Sequence, residues 1–365
     1  MKRNIISMNK YPEKLKKIAM FTDIHWGKKN NSRIHNQDCL DFLDWFIFQL
    51  DKDVSHIVFL GDWFESRSAI NIETLEYSRQ GICKLDKLGL PIFFIVGNHD
   101  LHRRTTREIH SVKFFDELKN LTVIDHPTII DNCLFSPFLF EHEYTNIIQH
   151  NDLYAFFGHF EFKGFMITGN NMLMDHGPDH RLFPGPKRIF SGHFHKRQQI
   201  DNVHYIGNCF PHDFGDAGDY ERGMATYYVK DDKLKFTNWS GCPKYYKTTL
   251  SRVIDESWTP LPRMKVKCVI DGDVGYQDAQ DLRDAMIKTH RLRDFVLEED
   301  RAAMQGLHEG ENVKVTESML DFTSIDDLVI QQLMAVKDDK KSTIDAEMLI
   351  EIYKSLQVEA TEKDE

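Results

Sequence analysis

The sequence predicts an α/β protein in which two packed sheets are flanked by helices, followed by a small α+β domain and a helical tail. Three observations carry that reading. Apolar runs of strand length recur along the first two thirds of the chain, helical spacings separate the early ones, and a proline-marked change of pattern comes after residue 257.

The first strand lies in "KIAMFTDIHWG", the second in "HIVFLGDWFE" and the third in "IFFIVGNHD". Between the first two, "QDCLDFLDWFIFQL" sets Leu40, Leu43, Ile47 and Leu50 at helical spacing. Leu75, Ile82, Leu85 and Leu88 do the same before "GLP" stops the next helix. Strand, helix, strand, helix, strand describes βαβ units with buried strands. "LYAFFGHF", "RIFSGHFH", "VHYIGN", "MATYYV" and "LKFTNW" then follow with few helical patterns among them, which suggests a second sheet packed on the first. Two prolines in "SWTPLPRM" (257–264) mark a boundary. Beyond it "KVKCVIDG" reads as a strand, "YQDAQDLRDAMIKTH" as a helix and "LEEDRAAMQGLHEGEN" as a polar connection. Ser324 with Asp327 and Ser342 with Asp345 resemble capping boxes that open two closing helices. The expected domains are residues 1–250, a small α+β domain that starts over 262–297 and extends to about 320, and a tail at 321–365.

At 365 residues the chain can bury a large core, and its 26 phenylalanines make that core aromatic. Six cysteines (39, 83, 133, 209, 242 and 268) are scattered with no CxxC pair, which points to reduced thiols in a cytoplasmic protein. No signal peptide or membrane-spanning apolar run is read. The net charge of −11 is local: from Glu298 onward 18 acidic residues face 7 basic ones, which accounts for all of it. The first 297 residues balance at 39 of each sign and leave an anionic substrate open to them.

In "RIFSGHFH", His193 and His195 stand two apart after an apolar run and a glycine. On an extended backbone both would point to one spot, as metal ligands or as two surface histidines. Four other turns resolve the choice: Asp23-Ile-His25, Gly61-Asp62, Gly97-Asn98-His99-Asp100 and Gly158-His159. Each follows an apolar strand, and ligands of α/β sheets bind at the carboxyl ends of strands. Asp23, His25, Asp62, Asn98, His159, His193 and His195 offer oxygen and imidazole donors and no thiolate, which suits Mn²⁺, Fe²⁺ or Zn²⁺. Seven ligands are too many for one ion with open positions, whereas a carboxylate such as Asp62 can bridge two ions about 3.5–4 Å apart.

These five motifs resemble those of the calcineurin-type metallophosphoesterases: DxH, GDxx(D/E), GNH(D/E), GH and GHxH. The resemblance implies that Asp23, His25, Asp62 and His195 hold one ion and that Asp62, Asn98, His159 and His193 hold the other. It further implies that His99 acts on the leaving group and that Asp100 orients it. "GDWFES" and "GNHD" differ from the GDxxDRG and GNHE of the Ser/Thr phosphatases. "GHFEFKGF", "IFSGHFHKR" and "VHYIGN" resemble instead the double-strand-break repair nucleases, the bacterial SbcD group and the recombination-endonuclease subunit of T-even-like phages. Glu65 stands where that group often has Asp or His, and Asn208 where it often has Ser or Thr. The activity so implied is two-metal hydrolysis of DNA phosphodiesters, exo- or endonucleolytic, with Mn²⁺ favoured over Mg²⁺, Fe²⁺ or Zn²⁺. The location would be the cytoplasm, that of a host cell if the gene belongs to a phage. Alternatives are a small-substrate phosphoesterase of the same superfamily and a non-catalytic scaffold.

Lys28, Lys29, Arg67, Arg103, Arg104, Arg107, Lys196 and Arg197 each lie near a motif and are expected to form a phosphate track on the cleft rim. Trp26, Trp63 and Phe64 are read as packing in preference to base stacking, and His102 and His212 as candidates to support the ligands. The resemblance implies a homodimer, for which "EIHSVKFFDELKN" offers a helix with Ile109, Val112, Phe115 and Leu118 on one face. It also implies an SbcC-like ATPase of the SMC type. In the tail, Leu328 and Leu333 on one helix and Leu349, Ile352, Tyr353 and Leu356 on the other form apolar faces for that partner.

Overall fold

Alternation of side chains along the first strands builds two layers of core at once. The computed structural model describes residues 6–7, 14–167, 172–272 and 275–299. Lys17–Phe21, His56–Phe59, Ile92–Ile95 and Leu121–Ile124 pair in parallel, and Gly223–Tyr228 and Lys233–Asn238 extend this six-stranded sheet antiparallel. Phe21, Ile57, Phe59 and Phe94 turn to the helix side of the sheet. There the helices Arg33–Gln49 and Ile72–Asp86 bring Phe42, Leu43, Phe46, Ile82 and Leu85 against them. The Phe21 ring lies 4.7 Å from that of Phe46 and 5.0 Å from that of Phe59. Ser32 and Asn71 cap the starts of these helices with side-chain oxygens.

Ile18, Met20, Val58, Phe93 and Ile95 face the other way, onto a second sheet of seven strands. Its centre is Cys133–Ser136, Ala155–Gly158, Arg188–Ser191 and Val203–Tyr205, again parallel. Phe135, Phe157 and Phe190 meet the first sheet, with successive ring centroids 4.8 and 5.2 Å apart. The outer face of this sheet is covered by Tyr144, Ile147, Phe160, Phe162 and Phe183. All six cysteines are free, and among the described residues no helix is long and apolar enough to cross a membrane.

A third sheet is wholly parallel, in the order Lys244–Thr249, Met264–Ile270, Asp294–Glu299, with helix Tyr276–His290 as its crossover. It starts at Lys244, ahead of the proline-marked boundary at 257–264, because a parallel partner strand can lie on the far side of a loop. Its last strand runs into "LEED", so the polar connection begins later than its composition implied. Arg263 and Arg293 of this region both reach Asp38 on helix Arg33–Gln49.

One expected element is absent. Residues 108–118 are no amphipathic helix: Thr106–His110 pairs with Leu101–Arg103 in a hairpin, and Lys113–Glu117 makes a short 3₁₀ turn. Val112 and Phe115 enter the main core and Leu118 packs against it, so the apolar face proposed for a second copy is used within the chain. Ile109 and Phe114 stay exposed, at 65 % and 47 %. The closing helices, with their capping boxes and the residues Leu328, Leu333, Leu349, Ile352, Tyr353 and Leu356, lie outside the described residues.

Candidate metal centre

Five loops leave the carboxyl ends of parallel strands and meet. Asp23 and His25 follow Lys17–Phe21, Asp62 follows His56–Phe59, and Asn98 and His99 follow Ile92–Ile95. His159 follows Ala155–Gly158, and His193 and His195 follow Arg188–Ser191. The turns are tight: Asp23, His25, Asp62 and His193 have φ of 51°, 52°, 61° and 88°. That left-handed region costs a non-glycine residue about 1–3 kcal/mol and gathers at functional sites. Gly61 takes φ +107°, and a Cβ there would lie 2.3 Å from His159 Nδ1. A Cβ on Gly97 would lie 2.2 Å from Asp62 Oδ1. Only glycine at both positions lets the loops close this far.

Asp62 stands at the middle. Its Oδ1 accepts the His99 backbone N–H at 2.8 Å. Its Oδ2 faces two ways, 3.7 Å from His25 Nε2 and 3.4 Å from His159 Nε2. On the first side His25 Nε2 also lies 3.8 Å from Asp23 Oδ1 and 3.2 Å from His195 Nε2. On the second, Asn98 Oδ1 lies 2.9 Å from both His159 Nε2 and His193 Nδ1. Donors about 2.1 Å from one ion stand roughly 3–3.5 Å apart, so both clusters have the spacing of a coordination sphere. All seven residues expected to ligate are thus brought together.

The charges agree with the spacing. Asp23 and Asp62 are both buried. Burial, and the neighbouring charge of Asp62, raise the Asp23 carboxyl above its ordinary range. Burial alone would lower His159, but Asp62 outweighs it and takes the imidazole up to about 9. Two buried carboxylates therefore draw positive charge into the site, and the donor set of oxygen and imidazole suits hard or borderline divalent cations.

Partners behind the ligands fix their free ring nitrogens. His159 Nδ1 bonds the Leu60 carbonyl at 2.7 Å. His193 Nε2 bonds Glu161 Oε2 at 2.9 Å, and His25 Nδ1 lies 2.7 Å from Glu65 Oε2. Burial would raise the Glu65 carboxyl, but the bond to His25 together with the charges of His25, Lys28 and His99 outweighs it and holds the group below its ordinary range. Glu161 escaped the sequence reading, although "GHFEF" places it two residues after a ligand. Asn208 stays behind the site, where its N–H donates to the His195 carbonyl and its side chain to Asp216. Glu65→Gln removes the charge that orients His25. It is expected to weaken ion binding on the His25 side roughly 10–100-fold and to leave the His159 side unchanged, as read by titration against a chromophoric chelator.

His99 lies beside the clusters, its ring centroid 4.9 Å from that of His25. Its Nδ1 bonds the Glu65 carbonyl at 2.9 Å. A carbonyl only accepts, so Nδ1 carries the hydrogen and Nε2 is left to exchange a proton. Burial lowers the His99 imidazole. The expectation that Asp100 orients this ring is corrected. Asp100 Oδ1 accepts the N–H groups of Trp63 and Phe64, and Oδ2 those of Asp62 and Gly97. Backbone donors of two loops saturate the carboxylate, and the Glu65 carbonyl orients His99 instead.

The expected phosphate track is also trimmed. Arg107 pairs with Glu143, donates to the Phe138 carbonyl and lies over the Phe140 ring. Arg197 donates to the Ile206 carbonyl and Asn238 and lies over Phe236. Lys29 lies over Tyr245 of the third sheet at 4.2 Å, and burial lowers its amine to about 7. Lys28 reaches Glu65 at 3.3 Å, and Lys196 rests against Met166. Arg103 and Arg104 are exposed on the hairpin after the GNHD turn, and Arg67 is half-buried nearby. Trp26, Trp63 and Phe64 are buried in the core. His102 is exposed, whereas His212 is buried with its ring 5.2 Å from that of His195.

Compared with known proteins, the model of the calcineurin-like phosphoesterase family matches residues 16–197. Exonuclease subunit 1 of Enterobacteria phage T4 is 26% identical over 319 residues, which cover 83% of this chain and 86% of that protein. Among solved structures, a dimetal phosphatase from Danio rerio is 10% identical with a TM-score of 0.38, over 62% of this chain and 96% of that one. The nuclease MPE of Pseudomonas putida is 14% identical with a TM-score of 0.30, over 60% of this chain and 87% of that one.

Proposed function

We propose, on the premise that this chain belongs to the calcineurin-like phosphoesterases through residues 16–197, that it is a two-metal DNA nuclease. It would serve as the nuclease subunit of a repair or recombination complex with an SMC-type ATPase. The observation that carries the metal half is Asp62 Oδ2, 3.7 Å from His25 Nε2 in one cluster and 3.4 Å from His159 Nε2 in the other. Likeness to a phage protein named as an exonuclease subunit supports DNA as substrate and the need for a partner.

Divalent cations, Mn²⁺ before Mg²⁺, Fe²⁺ or Zn²⁺, would be held by Asp23, His25, Asp62 and His195 and by Asp62, Asn98, His159 and His193. When bound they supply the positive charge that neutralises a phosphate oxygen and acidifies the attacking water. The chain's own part is positional. Glu65, Leu60 and Glu161 hold the histidines in one tautomer, and the glycine-assisted turns keep the donors close. His99, fixed through Nδ1–H, would take up a second proton at Nε2 and, as the imidazolium, give it to the leaving sugar oxygen, returning to the neutral ring.

The test compares end-labelled single- and double-stranded DNA with bis-p-nitrophenyl phosphate under Mn²⁺, Mg²⁺, Zn²⁺ and chelator. DNA cleavage that needs the metal is expected. Turnover of the small diester with inert DNA would reject the substrate assignment. Arg103 and Arg104 should contribute to DNA affinity through phosphate contacts alone. Replacing both with Ala should weaken binding alike for unrelated sequences and lower the salt slope by about 2, as read by fluorescence anisotropy.

The resemblance to repair nucleases and the apolar faces of the two expected helices support residues 321–365 as the segment that would dock the ATPase. Deleting 320–365 should leave cleavage of single-stranded DNA intact and abolish ATP-stimulated cleavage of duplex ends. Full-affinity binding of the ATPase by the shortened chain would end this assignment. A second copy of the chain, if it pairs through the hairpin region, meets Ile109 and Phe114 instead of the expected helix face.

A further inference from the structure

His212 lies 17 positions after His195, follows no motif, and none of the steps above uses it. Its side chain is fully buried at 0% exposure, and neither ring nitrogen has a hydrogen-bond partner among the described residues. Buried polar groups are almost always satisfied, so an orphaned imidazole calls for a ligand. Its surroundings name the class. The ring centroid of His212 is 5.4 Å from that of His25 and 5.2 Å from that of His195, and those two are 5.1 Å apart. The three rings form a nearly equilateral triangle, each pair edge-to-face. Their ligating nitrogens fall within 4.8 Å of one another. Three imidazoles bound about 2.1 Å from one ion in tetrahedral directions have ring centroids roughly 5 Å apart.

The backbone holds this residue in place. The His212 N–H donates to Asp216 Oδ2 at 2.9 Å, the same oxygen that accepts Asn208 Nδ2 at 3.3 Å. Asp216 in turn pairs with Arg222, which is 1% exposed. The loop that carries the imidazole is therefore anchored from below by a buried ion pair.

We propose that His212 is a third imidazole ligand of the ion on the His25 side, so that this position is bound by His25, His195 and His212 with Asp23 and Asp62. The inference rests on the two-metal reading of the same site. A third imidazole biases that position toward ions that favour nitrogen, such as Fe²⁺, Co²⁺ or Zn²⁺, over Mg²⁺. The His159 side, with one fewer imidazole, would be the more permissive of the two.

The experiment titrates the full chain with Co²⁺ and Zn²⁺ against a chromophoric chelator. His212→Gln is expected to weaken one of two ions about 10-fold or more and to leave the second at its wild-type affinity, with the metal-free melting temperature unchanged. His212→Cys supplies an independent readout. With Co²⁺ it should show a thiolate-to-cobalt charge-transfer band that the wild type lacks. If the wild type binds no ion, the metal reading itself falls. If the wild type binds two ions, His212→Gln binds both as tightly and His212→Cys shows no such band, the metal reading stands and the role of His212 is rejected. If His212→Gln does not fold, the presence or absence of the band decides.

Discussion

Asp62→Ala is expected to empty both ion positions and to lower DNA cleavage by roughly three orders of magnitude or more. The reason is the place of one oxygen. Oδ2 is the donor nearest to both clusters, at 3.7 and 3.4 Å from their imidazoles. Asp23 also comes near both imidazoles, but among the described residues only Asp62 lies within 4 Å of the two. Metal ions at such sites are worth several kcal/mol of transition-state stabilisation, and each 1.36 kcal/mol is a factor of about ten. Elemental analysis of the dialysed variant should find neither ion. Two retained ions would show that Asp62 is not the bridge. Asp62→Asn makes a useful companion, because it keeps an acceptor for the His99 N–H and so separates loss of metal from collapse of the loop.

His99→Ala should give the opposite pairing: cleavage down about 10²–10⁴-fold, the usual worth of a positioned acid, with the ion content of the wild type. It is the backbone N–H of residue 99, not its ring, that holds Asp62 Oδ1. Alanine keeps that N–H, so the Asp62 carboxylate stays in place. The ring's only hydrogen bond among the described residues is to the Glu65 carbonyl, which lies outside the donor sets. Measured side by side, metal content and rate distinguish the two roles. If His99→Ala also loses its ions, the ring is a ligand and the proton must come from elsewhere.

The layers of the fold were legible because apolar period and strand ends are local properties. "KIAMF", "HIVF" and "IFFI" are strands as read, and the helix Tyr276–His290 matches its pattern from end to end. The amphipathic reading of residues 108–118 failed because burial looks alike from a helix or from a hairpin and a short turn: Val112 and Phe115 are buried as their pattern demands, in another conformation. The gathering of the seven candidate ligands was visible because five turns each supplied one or two. His193 and His195 show the limit of that reasoning. A strand would aim both at one spot, but the strand ends at Ser191 and His193 turns to φ 88°, so they face different clusters. Side-chain partners were not legible. Whether Asp100 reaches a ring or four amides, and whether Arg107 or Arg197 faces a phosphate or a carbonyl, depends on contacts across more than 30 residues of sequence or on the exact turn of a loop.

Asp100 has a consequence for how the site forms and fails. By accepting N–H groups from residues 62, 63, 64 and 97, one buried carboxylate welds two ligand-bearing loops into a single body. The conformational entropy of arranging those loops is lost when the chain folds, not when an ion arrives. Ions can then leave and return without reopening the backbone. The same weld removes any independent way for one loop to melt, since freeing either breaks bonds to a carboxylate that the other still needs. The centre should therefore belong to the most slowly exchanging part of the protein, opening with the sheets beneath it and not ahead of them.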